Sequence, residues 1–121
     1  ERILVCNLEY QSFNPYQSVA AANTSIKISD ESLKDLSLKV SDGKNTCVVS
    51  KIAQPNYNLD LEANIYSADG SILAYTVLAT PRLELKKFLF EVGAPVAPVS
   101  VLGKDGKSRI FESLKCYCGV F

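Results

Sequence analysis

Apolar and polar residues alternate with a period of two along most of this chain, which predicts half-buried β-strands rather than helices. The clearest run is Tyr57 to Ile65, where every odd position is apolar and every even position is polar. Ile72 to Ala79 is instead apolar on both faces, the pattern of a central strand covered on two sides. Asp69-Gly70 between them is a dipeptide that readily takes up a tight turn, so the two runs predict a hairpin. Asp42-Gly43 sits likewise between Leu36–Ser41 and Thr46–Ile52, and Asp105-Gly106 between Val99–Gly103 and Ser108–Val120. If each turn has two residues, Ile65 lies opposite Ala74, Leu61 opposite Leu78, Leu38 opposite Cys47, and Val101 opposite Ile110. Each of these pairs sets apolar against apolar, which supports the register.

Further strands are expected at Arg2–Leu8, Ser25–Ser29 and Leu83–Val92. In the last of these the apolar parity slips at Lys86-Lys87, as at a bulge in an edge strand protected by lysines. Gln11 to Ala22 contains Asn14-Pro15 and reads as a long loop. Ser29 to Asp35 fits one helical turn capped by Ser29 or Asp30, and Gly93 to Pro98 is an extended connector whose prolines cannot donate to a ladder. There is no internal repeat, low-complexity tract or domain boundary, so residues 1–121 are expected to form one domain. About eight short strands point to an all-β fold, an antiparallel β-sandwich with Asp-Gly hairpins, with a small closed β-barrel as the alternative.

The cysteines refine this picture. Cys6, Cys47, Cys116 and Cys118 are even in number and lie near both ends of a short chain, the usage of a disulfide framework. Cys116 and Cys118 are two apart and so project to one strand face, shared with Ile110, Leu114 and Val120, which reads as the core side. A bond between the two would be strained, so each is expected to pair elsewhere. Of the three possible connectivities, Cys6–Cys118 with Cys47–Cys116 ties the last strand to both the first strand and the first Asp-Gly hairpin. The chain starts at Glu1 without a basic stretch followed by an apolar one, so any signal peptide is expected to have been removed, and it is the cysteines that point to a secreted or periplasmic protein.

Charge and chemistry narrow the function mainly by exclusion. Thirteen basic residues balance thirteen acidic ones, which gives no field to concentrate nucleic acid. No apolar run is long enough for a membrane span. The absence of histidine removes Ser-His-Asp and Cys-His nucleophile systems and the commonest metal ligand, so neither a catalytic constellation nor a cofactor or metal is expected. Asp60, Glu62 and Asn64 alternate on one strand face and read as solvated rather than as a calcium or glycosidase site. Tyr66, Leu73, Tyr75 and Val77 share the outer face of the Asp69-Gly70 hairpin. They form a candidate interaction surface unless the Gln11–Ala22 segment, with Phe13 and Tyr16, folds over them. Asn23-Thr24-Ser25 is an Asn-x-Ser sequon, meaningful only in a eukaryotic secretory route, and Asn45-Thr46-Cys47 matches only loosely. The expected function is a non-enzymatic exported binding module with a protein partner, inhibitor-like in character. The alternatives are a structural or assembly subunit of an envelope or extracellular complex and, more remotely, a histidine-independent enzyme.

Overall fold

A computed structural model describes residues 2–29, 31–32, 35–51, 60–79 and 89–121. Eight strands follow in order: β1 (Arg2–Phe13), β2 (Tyr16–Ile28), β3 (Ser37–Ser41), β4 (Thr46–Lys51), β5 (Asp60–Tyr66), β6 (Ile72–Ala79), β7 (Leu89–Leu102) and β8 (Ser108–Val120). They make two antiparallel four-stranded sheets that pack as an open sandwich, not a closed barrel. The first and last pairs of strands build one sheet, ordered β2-β1-β8-β7, and the middle four form a meander, β3-β4-β5-β6. The expected Leu83–Val92 strand appears as β7 from Leu89 onward, while Lys86 and Lys87 lie outside the described residues.

The core follows the alternation. Leu4, Cys6, Leu8 and Tyr10 point inward from β1, and Leu114, Cys116, Cys118 and Val120 from β8. Facing them across the sandwich are Leu38 and Val40 from β3, Cys47 and Val49 from β4, and Leu61, Ala63 and Ile65 from β5. Both disulfides lie in this layer. Cys6–Cys118 joins directly opposed residues of β1 and β8, with Cα atoms 4.1 Å apart. Cys47–Cys116 crosses between the sheets over 6.2 Å. Structural bridges of this kind form in oxidising compartments, extracellular or periplasmic.

Turn length corrects two of the expected registers. In all three Asp-Gly turns the glycine has positive φ (91° at Gly43, 87° at Gly70, 79° at Gly106), and the aspartate Oδ1 accepts the N–H two residues on. The loops are nevertheless longer than two residues. Ser41 pairs with Thr46, so Cys47 lies opposite Val40 and Leu38 opposite Val49. This slip of two leaves every side chain on its expected face. In the last hairpin the Gly103 N–H donates to the Lys107 carbonyl and the Gly106 N–H to the Gly103 carbonyl, which makes a three-residue loop. Val101 therefore pairs with Arg109 and Ser100 with Ile110. The same closure occurs at Ser67–Ser71, but there a bulge between Ile65 and Tyr66 restores the expected Ile65–Ala74 and Leu61–Leu78 pairs.

Three element assignments also change. Gln11–Ala22 is not a loop: β1 and β2 run through it and meet at a tight turn over a cis Asn14-Pro15 bond. Gly93–Pro98 belongs to β7, although pairing with β8 lapses between Pro95 and Val99. That irregularity turns β8 over. Phe111 becomes the inward residue and Ile110, expected on the cysteine face, is 63% exposed. Lastly, β6 is an edge strand among the described residues, not a central one. Of the expected capped turn from Ser29 to Asp35, the Ser32 N–H donates to Ser29 Oγ at 3.1 Å, while Asp30, Leu33 and Lys34 lie outside the described residues.

Candidate functional site

The four tyrosine-hairpin residues occupy one surface. β5 and β6 pair so that Asn64 lies opposite Tyr75 and Glu62 opposite Val77, with Ala63, Ile65 and Leu61 facing inward. The outer face of the hairpin thus carries Tyr66 from β5 and Leu73, Tyr75 and Val77 from β6. Leu73 is 36% exposed, Val77 55% and Tyr75 69%, and Ile72 at the end of the strand is exposed as well. Tyr66 is half-buried. Gln11–Ala22 does not cover them, because it forms part of the opposite sheet.

Asn64, expected on a solvated face, is buried instead. The cause is its place on the inner strand β5, where it stands in a row between Val48 of β4 and Tyr75 of β6. Glu62 is half-buried, and the side chain of Asp60 lies outside the described residues. The face is therefore an apolar strip with a buried amide behind it and a half-buried carboxylate beside it.

A second surface was not legible from the alternation. β1 pairs with β8 only as far as Gln11–Ser113, after which the β1–β2 and β7–β8 hairpins continue separately to their own tips. The resulting fork holds a cleft of about 780 Å³ lined on one side by Gln11, Ser12 and Phe13 and on the other by Pro95, Ile110 and Glu112. Phe13 and Tyr16 stand at the first tip with ring centroids 6.1 Å apart, and Leu102 is exposed at the second. The second tip is braced by Arg109, whose Nη1 and Nη2 donate to Asp105 Oδ1 and Oδ2 at 3.1 and 2.6 Å. Together with the Lys107 N–H, this holds the Asp105 carboxyl down to about 2.

A polar tether joins the sheets behind the fork. The Tyr10 hydroxyl, on β1, donates to Asp42 Oδ2 in the β3–β4 turn and accepts from Asn45 Nδ2 at 3.2 Å. Burial and the hydrogen bond to Asp42 push the tyrosine up to about 12. Burial raises the Asp42 carboxyl, but the Tyr10 hydroxyl and the N–H groups of Asn45 and Lys44 outweigh it, and the net shift is downward. By sequence alone Tyr10 reads simply as packing at the end of a strand. Only the assembled sandwich brings it to a turn 32 residues away.

Among the described residues no group of three or more His, Cys, Asp or Glu side chains is placed to hold a metal ion, and no helix is long and apolar enough to cross a membrane. By architecture the protein is a disulfide-bridged antiparallel β-sandwich. It matches no protein-family model, no curated protein and no solved structure.

Proposed function

We propose that this is an exported, non-enzymatic protein-binding module that docks its partner on the outer face of the β5–β6 hairpin. The observation that carries the reading is the run of exposed Leu73, Tyr75 and Val77 on an edge strand, with Tyr66 beside them. Contiguous apolar surface of this kind is unusual on a protein that works alone, and tyrosine is enriched where binding energy concentrates. The two disulfides fix the sandwich beneath, so the face is presented without an ordering cost at binding.

The test is capture from the native extracellular or periplasmic fraction by wild type and by the Tyr66→Ala and Tyr75→Ala variants, with the dissociation rate of any captured partner measured in isolation. Each substitution is expected to speed dissociation at least tenfold, the effect of losing an interface anchor worth about 1.4 kcal/mol or more. Unchanged rates for both variants overturn the reading.

The fork favours a second reading on its own observation, the exposed Phe13 and Ile110 lining a cleft large enough for a short peptide. Phe13→Ala and Ile110→Ala in the same assay separate the two surfaces. Loss confined to these variants moves the docking site to the fork.

A further inference from the structure

We propose that Asn23 is an N-glycosylation site and that its glycan shields the open edge of β2. Two stretches of the sequence have the acceptor spacing, Asn23-Thr24-Ser25 and, with cysteine in the third place, Asn45-Thr46-Cys47. The fold separates them. Asn45 is 5% exposed, its amide donates to the Tyr10 hydroxyl, and Cys47 is bonded to Cys116. A sugar on that nitrogen would have to leave the interior and break the tether between the sheets.

Asn23 stands in the opposite situation. It is exposed near the middle of β2, directly across from Asn7 of β1. The neighbours of Asn7 in β1, Cys6 and Leu8, point into the core, so Asn7 and Asn23 face outward. Ser25, two residues on, is exposed on the same side. The amide thus leaves the sheet into solvent, with nothing among the described residues that a glycan would displace.

The second observation is the strand itself. β2 is thirteen residues long and pairs only with β1 among the described residues. It carries one charged residue, Lys27, and no proline. A long open edge with a single charge near one end is a template for pairing with another chain, and proteins normally blunt such an edge. The other edge of the same sheet is blunted, since β7 contains Pro95, Pro98 and Glu91. The edge of the opposite sheet at β3 is only five residues long. A bulky, hydrated glycan at Asn23 does for β2 what proline and charge do for β7. Because Asn23 and the Tyr75 face belong to opposite outer faces of the sandwich, the glycan leaves the proposed docking surface open.

The modification belongs to a eukaryotic secretory route, where such sequons are read. Transfer forms a bond from Asn23 Nδ2 to the anomeric carbon of an oligosaccharide. The bond from that carbon to its polyisoprenyl pyrophosphate carrier breaks, the pyrophosphate departs with the electron pair, and Nδ2 gives up one proton.

Secretion of the full chain from eukaryotic cells, followed by intact-mass analysis and peptide mapping, tests the site. One glycan is expected on the doubly disulfide-bonded protein. A peptide N-glycosidase should remove it and leave aspartate at position 23, and Asn23→Gln and Ser25→Ala should each prevent it. Secreted wild type without sugar at Asn23, or with sugar at Asn45, overturns the assignment. Light scattering at rising concentration tests the shielding. The enzymatically deglycosylated protein and Asn23→Gln should form larger species where the glycosylated protein stays monomeric, and Ala20→Lys, which puts a charge on the same exposed edge, should restore the monomer in the Asn23→Gln background. Equal association with and without the glycan refutes the shielding role.

Discussion

Replacing Cys47 and Cys116 together by alanine removes the only disulfide that joins the two sheets, and its cost can be worked from the connectivity. Taken alone, a bridge spanning 69 residues restricts the unfolded chain by about 4.4 kcal/mol in the chain-entropy model. The two bridges overlap, however. With Cys6–Cys118 intact, Cys47 and Cys116 are already joined by a second path of about 43 residues through that bridge, and the two paths in parallel act as a loop of about 26 residues. The entropic loss on removing Cys47–Cys116 is then about 3.5 kcal/mol. Removing Cys6–Cys118 instead costs about 4 kcal/mol, although its span of 112 residues is far longer, because the surviving bridge shortens its path as well. Each cysteine is fully buried, so truncation to alanine adds on the order of 1 kcal/mol per site for lost packing. For Cys47–Cys116 the sum, about 5.5 kcal/mol, is comparable to the whole stability of many domains. Urea unfolding of the two double variants and of wild type measures this directly as a shift in midpoint, with the slope checked separately. A loss below about 1 kcal/mol for the Cys47→Ala, Cys116→Ala protein would falsify the reasoning, as would a gap of several kcal/mol between the two double variants.

Other outcomes follow from the tether and the turns. Tyr10→Phe should cost about 2 kcal/mol, because a hydrogen bond to a charged group is lost and the buried Asn45 amide loses its acceptor; urea midpoints at neutral pH check it. The folded Tyr10 hydroxyl titrates at about 12 rather than 10, so its contribution is complete below pH 10 and falls away as pH rises towards 12. That alkaline loss should be absent from Tyr10→Phe, and identical alkaline profiles would contradict the assignment. Asp69 and Asp105 are held down to about 2 from 3.8, Asp69 by the Ser67 and Ser71 hydroxyls and Asp105 by Arg109. Their contribution is therefore present above about pH 4 and lost as pH falls towards 2, and the Asp69→Asn, Asp105→Asn protein should show a shallower drop in melting temperature over that interval. Gly70→Ala places a side chain at φ 87° in open space, so backbone strain alone should lower stability by about 1 kcal/mol, measurable as a melting shift of several degrees.

Much of this protein was written in local pattern. Alternation located the strands because the side-chain period of a strand is two, and one buried face demands apolar residues at every second position. Asp-Gly marked all three turns, because an aspartate that accepts a backbone N–H followed by a glycine free to take positive φ is a local solution independent of the rest of the fold. Two cysteines on one face of the last strand had to find partners elsewhere, which the sequence showed, but which of them meets Cys6 was decided by the register that sets Cys118 directly opposite it. Tertiary structure decided what depends on counting and on neighbours. Turn length set the register, and the lapse in pairing between Pro95 and Val99 changed the inward face of β8 from Leu114 to Phe111 and left Ile110 exposed. Small and polar residues from Ser18 to Ala22 became strand because β1 offered an edge to pair with, not because of their own hydrophobicity. Apolar residues on both faces made Ile72–Ala79 read as a central strand, because sequence alone does not separate a face covered by a neighbouring layer from one left open. Its position at the edge left Tyr75 exposed, while the inner position of β5 buried Asn64 beside it.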